Sequence, residues 1–307
     1  MHIAILGANS QIAKDLMFFF SPSVTLYLFV RRKSETVNWV ERQNFACRAT
    51  VFEYDDFFNN SYDAIINFVG SGNPAKTADL GGEIFEITRK FDSMAITYLD
   101  LNPGCKYIFF SSGAAFGSVF DVPLHEKATA TVDLNHFNHQ DFYGIAKLYA
   151  ECCHRARTDL MITDLRVFSY FSRSQDINAR FLLSDVARAI IEGTTLLVSD
   201  DPMERDYIHT EDLFQLISLI LGQSKFNGAI DCYSKNTVSK MQLIDALVER
   251  YGLKFEISSS NEFINATGFK KKYYSLNKRA QSIGYLPKYG SLEGVLVEMD
   301  YLLKQKI

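Results

Sequence analysis

His2-Ile3-Ala4-Ile5-Leu6-Gly7-Ala8-Asn9-Ser10-Gln11-Ile12-Ala13 is the stretch that decides the fold. Ile3 to Leu6 are apolar without a break, as in a strand covered on both faces. The run stops at a glycine and passes into a helix-like segment, Gln11–Phe20. Gly7 can take a positive φ at the tight turn. A helix that starts there offers N–H donors and the positive end of its dipole to an anion. Dinucleotide-binding turns of this kind carry Gly at the first, fourth and seventh places. Here Gly7 is the one glycine, with Ser10 and Ala13 in the other two places. Ala13 is small enough for helix to pack on sheet, whereas the Cβ of Ser10 stands where backbone would approach a pyrophosphate. Gly7, Asn9, Ser10, Gln11 and Ile12 are the candidate phosphate cradle; taken alone, the motif also fits a plain strand–turn–helix.

The rhythm continues beyond the turn. Apolar runs recur at Val24–Val30, Arg48–Tyr54, Tyr62–Val69, Lys106–Ser111 and Met161–Phe168, separated by helix-like stretches of which Gly82–Leu101 and Phe142–Arg157 are the clearest. This alternation predicts an α/β fold with a parallel, doubly wound sheet, whose strand C-termini form the ligand-binding rim. After Phe168 the segments shorten and vary. Met241–Tyr251 and Leu292–Leu303 read as amphipathic helices of a smaller lobe. The expected division is 1–168 plus roughly 205–225 for the nucleotide-binding part, and 169–204 with 226–307 for the substrate lobe.

The residues just after each strand set the candidate cofactor site. Strand two ends in Arg31-Arg32-Lys33, with no carboxylate where NAD enzymes of this fold bind the ribose hydroxyls. Arg grips phosphate through paired hydrogen bonds, so the run points to the 2′-phosphate of NADP(H), with NAD as the alternative. A solvated basic loop is the bland reading. Asp55 or Asp56, after strand three, could receive an adenine amino group. Asn67-Phe68-Val69-Gly70, after strand four, is placed to line the cofactor.

Strand five ends in Ser111-Ser112, and Tyr143-Gly144-Ile145-Ala146-Lys147 begins 31 residues after Ser112. Residues four apart share one helix face. An ammonium beside a phenol stabilises the phenolate and lowers its pKa, so that Tyr143 can exchange a proton with a substrate oxygen. Ser112 would hold the same oxygen, and Lys147 could also bind the nicotinamide ribose. Most such Tyr–Lys pairs are ordinary helix surface; the strand, the serines and the nucleotide turn set this one apart.

The 307 residues are 47% hydrophobic and 22% charged, with a net charge of −4 and no long basic run, which excludes nucleic acid as an obvious partner. The longest apolar stretch, Leu213–Leu221, is too short to span a bilayer, and no membrane partner is expected. The N-terminus reads as a buried strand, not a signal peptide. Five scattered cysteines and six dispersed histidines show no metal-ligand spacing; reduced thiols of a cytoplasmic protein are the expectation, with no metal.

Together these motifs resemble the extended short-chain dehydrogenase/reductase family, with its sugar-nucleotide epimerases, dehydratases and reductases, over nearly the whole chain. Ile108–Gly117 resembles the family's Ser-bearing loop, Tyr143–Lys147 its Tyr/Lys motif, and Asp164–Ser169 the strand entering the substrate lobe. Arg205–Leu213 (RDYIHTEDL) is similar to a motif of the sugar-nucleotide members, and Tyr273–Gly294 to the family's closing segment. The resemblance implies a Rossmann-like sheet with a smaller C-terminal α/β substrate lobe. It implies that Arg205 contacts a substrate diphosphate, that Asn178 and Phe181 meet the nucleotide, and that Ser169 stands where many members place Asn. It also implies a homodimer through the long fourth helix and the Tyr/Lys helix, for which Phe91, Met94, Ala95, Tyr98 and Leu99 offer apolar positions that equally suit packing on the sheet. Two departures matter. The long fourth helix has no clear Asn for a proton relay, and Gly113-Ala114 follow Ser112 where the family's 4,6-dehydratases carry Asp-Glu. The expected activity is therefore NADPH-dependent reduction of a nucleoside-diphosphate 4-keto-6-deoxy-sugar, as in surface-polysaccharide pathways. The alternatives are a 4-epimerase with tightly held NAD and a non-catalytic nucleotide-sensing regulator.

Overall fold

The computed structural model describes residues 1–70, 77, 79–258 and 270–305. Its central sheet joins β1 (His2–Leu6), β2 (Thr25–Val30), β3 (Arg48–Glu53), β4 (Ala64–Asn67), β5 (Lys106–Ser112), β6 (Met161–Val167) and β11 (Gly228–Asp231). The order across the sheet is β11-β6-β5-β4-β1-β2-β3, and every pairing is parallel. Strands buried on both faces are what unbroken Val/Ile/Leu/Phe runs produce. Ile3 to Leu6 and Ala64 to Asn67 are all buried. One face packs on α1 (Gln11–Met17), α2 (Lys33–Glu41) and α6 (Thr210–Gly222), in a core that includes Leu16, Leu213 and Leu216. The other packs on α3 (Glu83–Leu101) and α4 (Phe142–Arg155), through Ala95, Tyr98, Leu99 and Ala150.

The smaller lobe holds short strands: β7 (Ser169–Tyr170) with β10 (Tyr207–Ile208); β9 (Glu204–Arg205) between β12 (Val238–Ser239) and β14 (Lys272–Tyr273); and β8 (Thr195–Ser199) with β13 (Lys254–Ser258). With α5 (Leu182–Glu192), α7 (Lys240–Tyr251) and α8 (Ser291–Lys304) it has its own apolar core, which includes Leu183, Val186, Leu243, Leu247 and Met299. Glu298 of α8 ties this lobe to the sheet's rim. It accepts from the Arg173 backbone N–H at 2.7 Å and from His209 Nε2 at 3.0 Å, and it pairs with the Arg173 guanidinium at 2.6 Å.

One expectation is corrected. Residues 226–307 do not all belong to the small lobe, because Gly228–Asp231 is the edge strand of the large sheet. Ile230, Tyr233, Ala280 and Tyr285 likewise belong to the large core. Of the five apolar α3 positions weighed for a dimer face, Phe91, Ala95, Tyr98 and Leu99 are buried, and Met94 packs on the sheet-facing cluster. Among the described residues no helix is long and apolar enough to cross a membrane.

Candidate functional site

Parallel strands end on one rim, and this sheet reverses its winding between β1 and β4, which is where an open α/β sheet binds its ligand. A cleft of about 2020 Å³ runs along that rim and continues under the small lobe. The strand order sets the sequence of its wall: Arg31 and Arg32 after β2, Gly7 after β1, Phe68–Gly70 after β4, Ser112 ending β5, and Ser169 after β6.

At the turn, Gly7 has φ +74°, and a Cβ there would lie 3.0 Å from the Val69 backbone nitrogen. Glycine is thus required twice, for conformation and for the approach of the β4 loop. The Gly7 N–H donates to the Tyr54 hydroxyl at 3.1 Å, so a phenol from the end of β3 underlies the turn. Ser10 is the N-cap of α1, and its hydroxyl accepts from the Ala13 N–H at 3.2 Å. The residue that breaks the glycine pattern therefore takes up one donor of the helix start. Asn9 is fixed by the Thr36 hydroxyl, which donates to Oδ1 at 2.8 Å, and Gln11 Nε2 donates to Ser172 Oγ at 2.9 Å. Ile12 lines the same wall.

Arg31 and Arg32 face the cleft, as does Glu35, which pairs with Arg32 at 3.4 Å. Lys33 does not: as the first residue of α2 it lies over the Phe52 ring at 6.0 Å, along a separate shallow groove. Asp55 and Asp56 also miss the cleft wall, since they fall in the 3-10 turn Tyr54–Asn59, which presents Tyr54 instead.

In the centre, Ser112, Tyr143 and Lys147 line one stretch of wall. Gly144 makes this possible: a Cβ there would lie 2.4 Å from the Ala114 carbonyl oxygen, so α4 rests directly on the 3-10 turn Gly113–Phe116. Lys147 is buried, donates to the Phe110 carbonyl at 2.7 Å, and lies 4.3 Å from the Phe109 ring centroid and 5.7 Å from that of Tyr143. Burial lowers its pKa to about 8, against the opposing charges of Asp92, Glu151 and Asp164. The Tyr143 phenol departs from expectation. Burial pushes its pKa up, the neighbouring Tyr273 adds to this, and the Ser112 hydrogen bond alone pulls it down. The ammonium donates to the Phe110 carbonyl and lies over the Phe109 ring, and burial outweighs what it does for the phenol.

Behind Lys147 lies a buried polar layer that the sequence did not reveal. Asn67 donates to the Tyr107 hydroxyl at 2.8 Å, and Tyr107 to Asp92 at 2.9 Å. His154, fully buried, bridges Asp92 (2.8 Å) and Asp164 (2.5 Å), and Arg155 also pairs with Asp164. Burial opposes charge on His154, but hydrogen bonds to Asp164 and Asp92 outweigh it and raise its pKa to about 9. Next to it, Arg166 joins Glu151 (2.5 Å) and Asp231 (3.4 Å). Charged groups this deep persist only when paired.

At the end under the small lobe, Ser169, Phe181 and Arg205 line the cleft. Asn178 is exposed and lies outside the wall; its backbone N–H donates to the Asp176 carboxylate at 2.9 Å, and Ala179 to Phe181 take the lining places. Arg205 donates to the Glu204 carbonyl at 2.9 Å and has no carboxylate partner among the described residues. Two residues that sequence reasoning missed complete this end. Lys270 has its pKa lowered to about 8, first by burial and then by Arg205. Tyr273 hydrogen-bonds Ser112 Oγ at 2.9 Å.

A family model described as the NAD dependent epimerase/dehydratase family matches residues 3–233. No curated protein matches the chain. Among solved structures, a UDP-N-acetylglucosamine 4-epimerase from Methanobrevibacter ruminantium M1, in complex with UDP-N-acetylmuramic acid, superposes with a TM-score of 0.81 at 15% identity, over 99% of this chain and 98% of that one. A UDP-glucose 4-epimerase from Thermotoga maritima, with UDP-glucose, gives 0.79 at 17%, over 99% of each chain. A dTDP-glucose 4,6-dehydratase from Bacillus anthracis, in complex with NAD, gives 0.79 at 13%, over 100% and 97%. At such identities the likeness carries the fold, and the family match carries the rest: the chain belongs to the NAD dependent epimerase/dehydratase family, and with it to the oxidoreductase-type enzymes.

Proposed function

We propose that the protein is an NADP(H)-dependent reductase of a nucleoside-diphosphate keto-sugar, a 4-keto-6-deoxyhexose by family expectation. The observation that carries this is the order of groups along one cleft: two guanidinium groups at the β2 end, Ser112–Tyr143–Lys147 at the centre, and Arg205 with Lys270 at the lobe end. The wall fits a dinucleotide at Gly70, which leaves bare the stretch where a Cβ would stand 3.6 Å from Lys147 Nζ, while Gly7 lets the turn and the β4 loop close on each other. Arg31 and Arg32 would take the 2′-phosphate and Lys147 the ribose. When bound, the nicotinamide supplies or accepts a hydride.

The chain's own residues do the rest. Ser112 holds the substrate oxygen by hydrogen bond. Tyr143, kept protonated by its buried setting, gives its proton to that oxygen. Arg205 and Lys270 hold the anionic diphosphate away from water. Gly113 counts against dehydratase chemistry: it carries no carboxylate, and a side chain there would run into the Phe168 ring.

The second reading is a 4-epimerase with retained NAD. Glu35, a carboxylate on the cleft wall beside Arg32, favours it, since an acid there can bind ribose hydroxyls. The deciding experiment mixes protein, NADPH and a 4-keto-6-deoxyhexose nucleotide and tracks absorbance at the nicotinamide band. Net consumption supports the reductase. Interconversion of sugars without consumption, with NAD released on denaturation, supports the epimerase. Tyr143→Phe abolishes either activity with the fold intact; full activity in that variant removes Tyr143 from the mechanism.

A further inference from the structure

The Ser172 hydroxyl sits between two residues of α1. Gln11 Nε2 donates to it at 2.9 Å, and it donates to Asp15 Oδ2 at 2.6 Å. An ionised carboxylate only accepts, so the single hydrogen of Ser172 goes to Asp15 and a lone pair receives Gln11. Asp15 collects two more hydroxyls from the same segment: Tyr170 donates to Oδ2 at 2.7 Å and Ser174 to Oδ1 at 2.6 Å. Arg173, between them in sequence, turns the other way and donates to Glu298 of α8 at 2.9 and 2.6 Å. Residues 170–174 therefore form a strap, gripped by α1 on one side and by the small lobe on the other.

Asp15 itself lies off the cleft wall, but what it holds does not. Ser169 and Phe171 line the cleft, and the strap runs on into Ala179–Phe181 at the lobe end. Ser169 also pairs with Tyr207 in the short β7–β10 ladder, two residues after Arg205. On the other side, Gln11 belongs to the wall of the dinucleotide turn and shares a helix face with Asp15, four residues on. We propose that Asp15 is a positioning residue for the nucleotide end of the substrate: it touches no ligand, but it fixes the strap to α1 so that the lobe end is already assembled when a nucleoside diphosphate arrives. This rests on the reading of the lobe end as the diphosphate site. A site assembled in advance binds without first ordering its own wall.

The test compares Asp15→Leu with Asp15→Asn, titrating UDP, dTDP, GDP and CDP by calorimetry at saturating NADPH. Leu fills the space and accepts nothing. Asn keeps one oxygen for Tyr170 and Ser172 and leaves Ser174, which is exposed, to water. The nucleotide that the parent binds tightest is expected to bind Asp15→Leu about tenfold or more weakly, since a strap in place a tenth of the time divides the apparent affinity by about ten. Asp15→Asn restores binding to within about threefold of the parent, and the Kd for NADPH, taken without nucleotide, stays within about threefold in both variants. Ser172→Ala cuts the link between Gln11 and Asp15 with a smaller change, and carries the test alone should Asp15→Leu not fold. It weakens the nucleotide in the same direction, and added to Asp15→Leu it costs little more. A general loosening of the fold would weaken NADPH as well and would not be rescued by Asn. If Asp15→Leu and Ser172→Ala bind the nucleotide as the parent does, if NADPH is lost in step with it, or if Asp15→Asn loses as much as Asp15→Leu, the inference fails and the proposed function stands. If the parent binds none of the four nucleotides, both fall.

Discussion

Replacing Gly144 by Ala adds one methyl group where α4 rests on the turn carrying Ser112. The new Cβ would lie 2.4 Å from the Ala114 carbonyl oxygen and 3.3 Å from its carbon, where ordinary contact begins at 3.4 Å. The obstacle is backbone, so no side chain can swing away; helix and turn must part by about 1 Å. Stability hardly registers this. Ala in a helix gains about 1 kcal/mol over Gly, which offsets much of an overpacking cost of about 1–3 kcal/mol. Catalysis is less forgiving, since a displacement of about 1 Å between reacting groups costs on the order of 100-fold. The expected outcome is a melting temperature within a few degrees of the parent, NADPH binding retained, and kcat down about 100-fold. Thermal unfolding by circular dichroism and steady-state NADPH oxidation measure the two quantities. A variant that turns over within threefold of the parent would refute the claim that the contact of α4 with the turn sets the distance between Tyr143 and Ser112.

Arg31→Ala and Arg32→Ala each weaken NADPH binding by about 10–100-fold, the worth of a charge-assisted hydrogen bond, and leave NADH binding nearly unchanged; fluorescence titration with both nucleotides checks this. His154→Leu leaves Asp92 and Asp164 buried without their shared cation and destabilises the fold by about 3–5 kcal/mol, read by urea unfolding at pH 7. In the parent, His154 has its pKa raised to about 9, so its contribution is complete below its ordinary 6.5 and is lost as pH rises through about 9; the urea midpoint falls over that window and stays flat across it in the variant. Glu298 shows the opposite sign. Despite its burial, hydrogen bonds from Arg173 and His209 hold its pKa down to about 2, so its contribution is present above 4.5 and lost as pH falls towards about 2. Glu298→Gln therefore flattens the acid side of the stability curve.

Much of the sheet was legible because buried parallel strands announce themselves as unbroken apolar runs. β1 was read residue for residue, and α3 and α4 within two residues of their ends. β11 was misplaced because Gly228–Asp231 has four residues, one of them acidic, and comes after the change of rhythm; its partner strand lies more than 60 residues earlier, a distance no local pattern spans. Ser112, Tyr143 and Lys147 line one cleft, since strand end and helix periodicity fix their side. Lys33, Asp55, Asp56 and Asn178 failed for a common reason: sequence places a residue after a strand, but only the local turn decides which neighbour faces inward. The expectation that the Lys147 ammonium lowers the Tyr143 pKa took no account of burial, which pushes the phenol up. Tyr273 and His154 lay out of reach, for each acquires its meaning from partners far along the chain.

The layer behind Lys147 has a consequence for how such a protein can change. Four anions (Asp92, Glu151, Asp164, Asp231) face four cations (Lys147, His154, Arg155, Arg166), and only the arginines reach noticeably towards water. The Lys147 ammonium in the cleft wall thus keeps its charge against burial through the carboxylates of this mosaic. Any drift in that mosaic must proceed in complementary pairs, and a lone substitution far from the cleft would be felt there as a change in working pH before it was felt as a loss of shape.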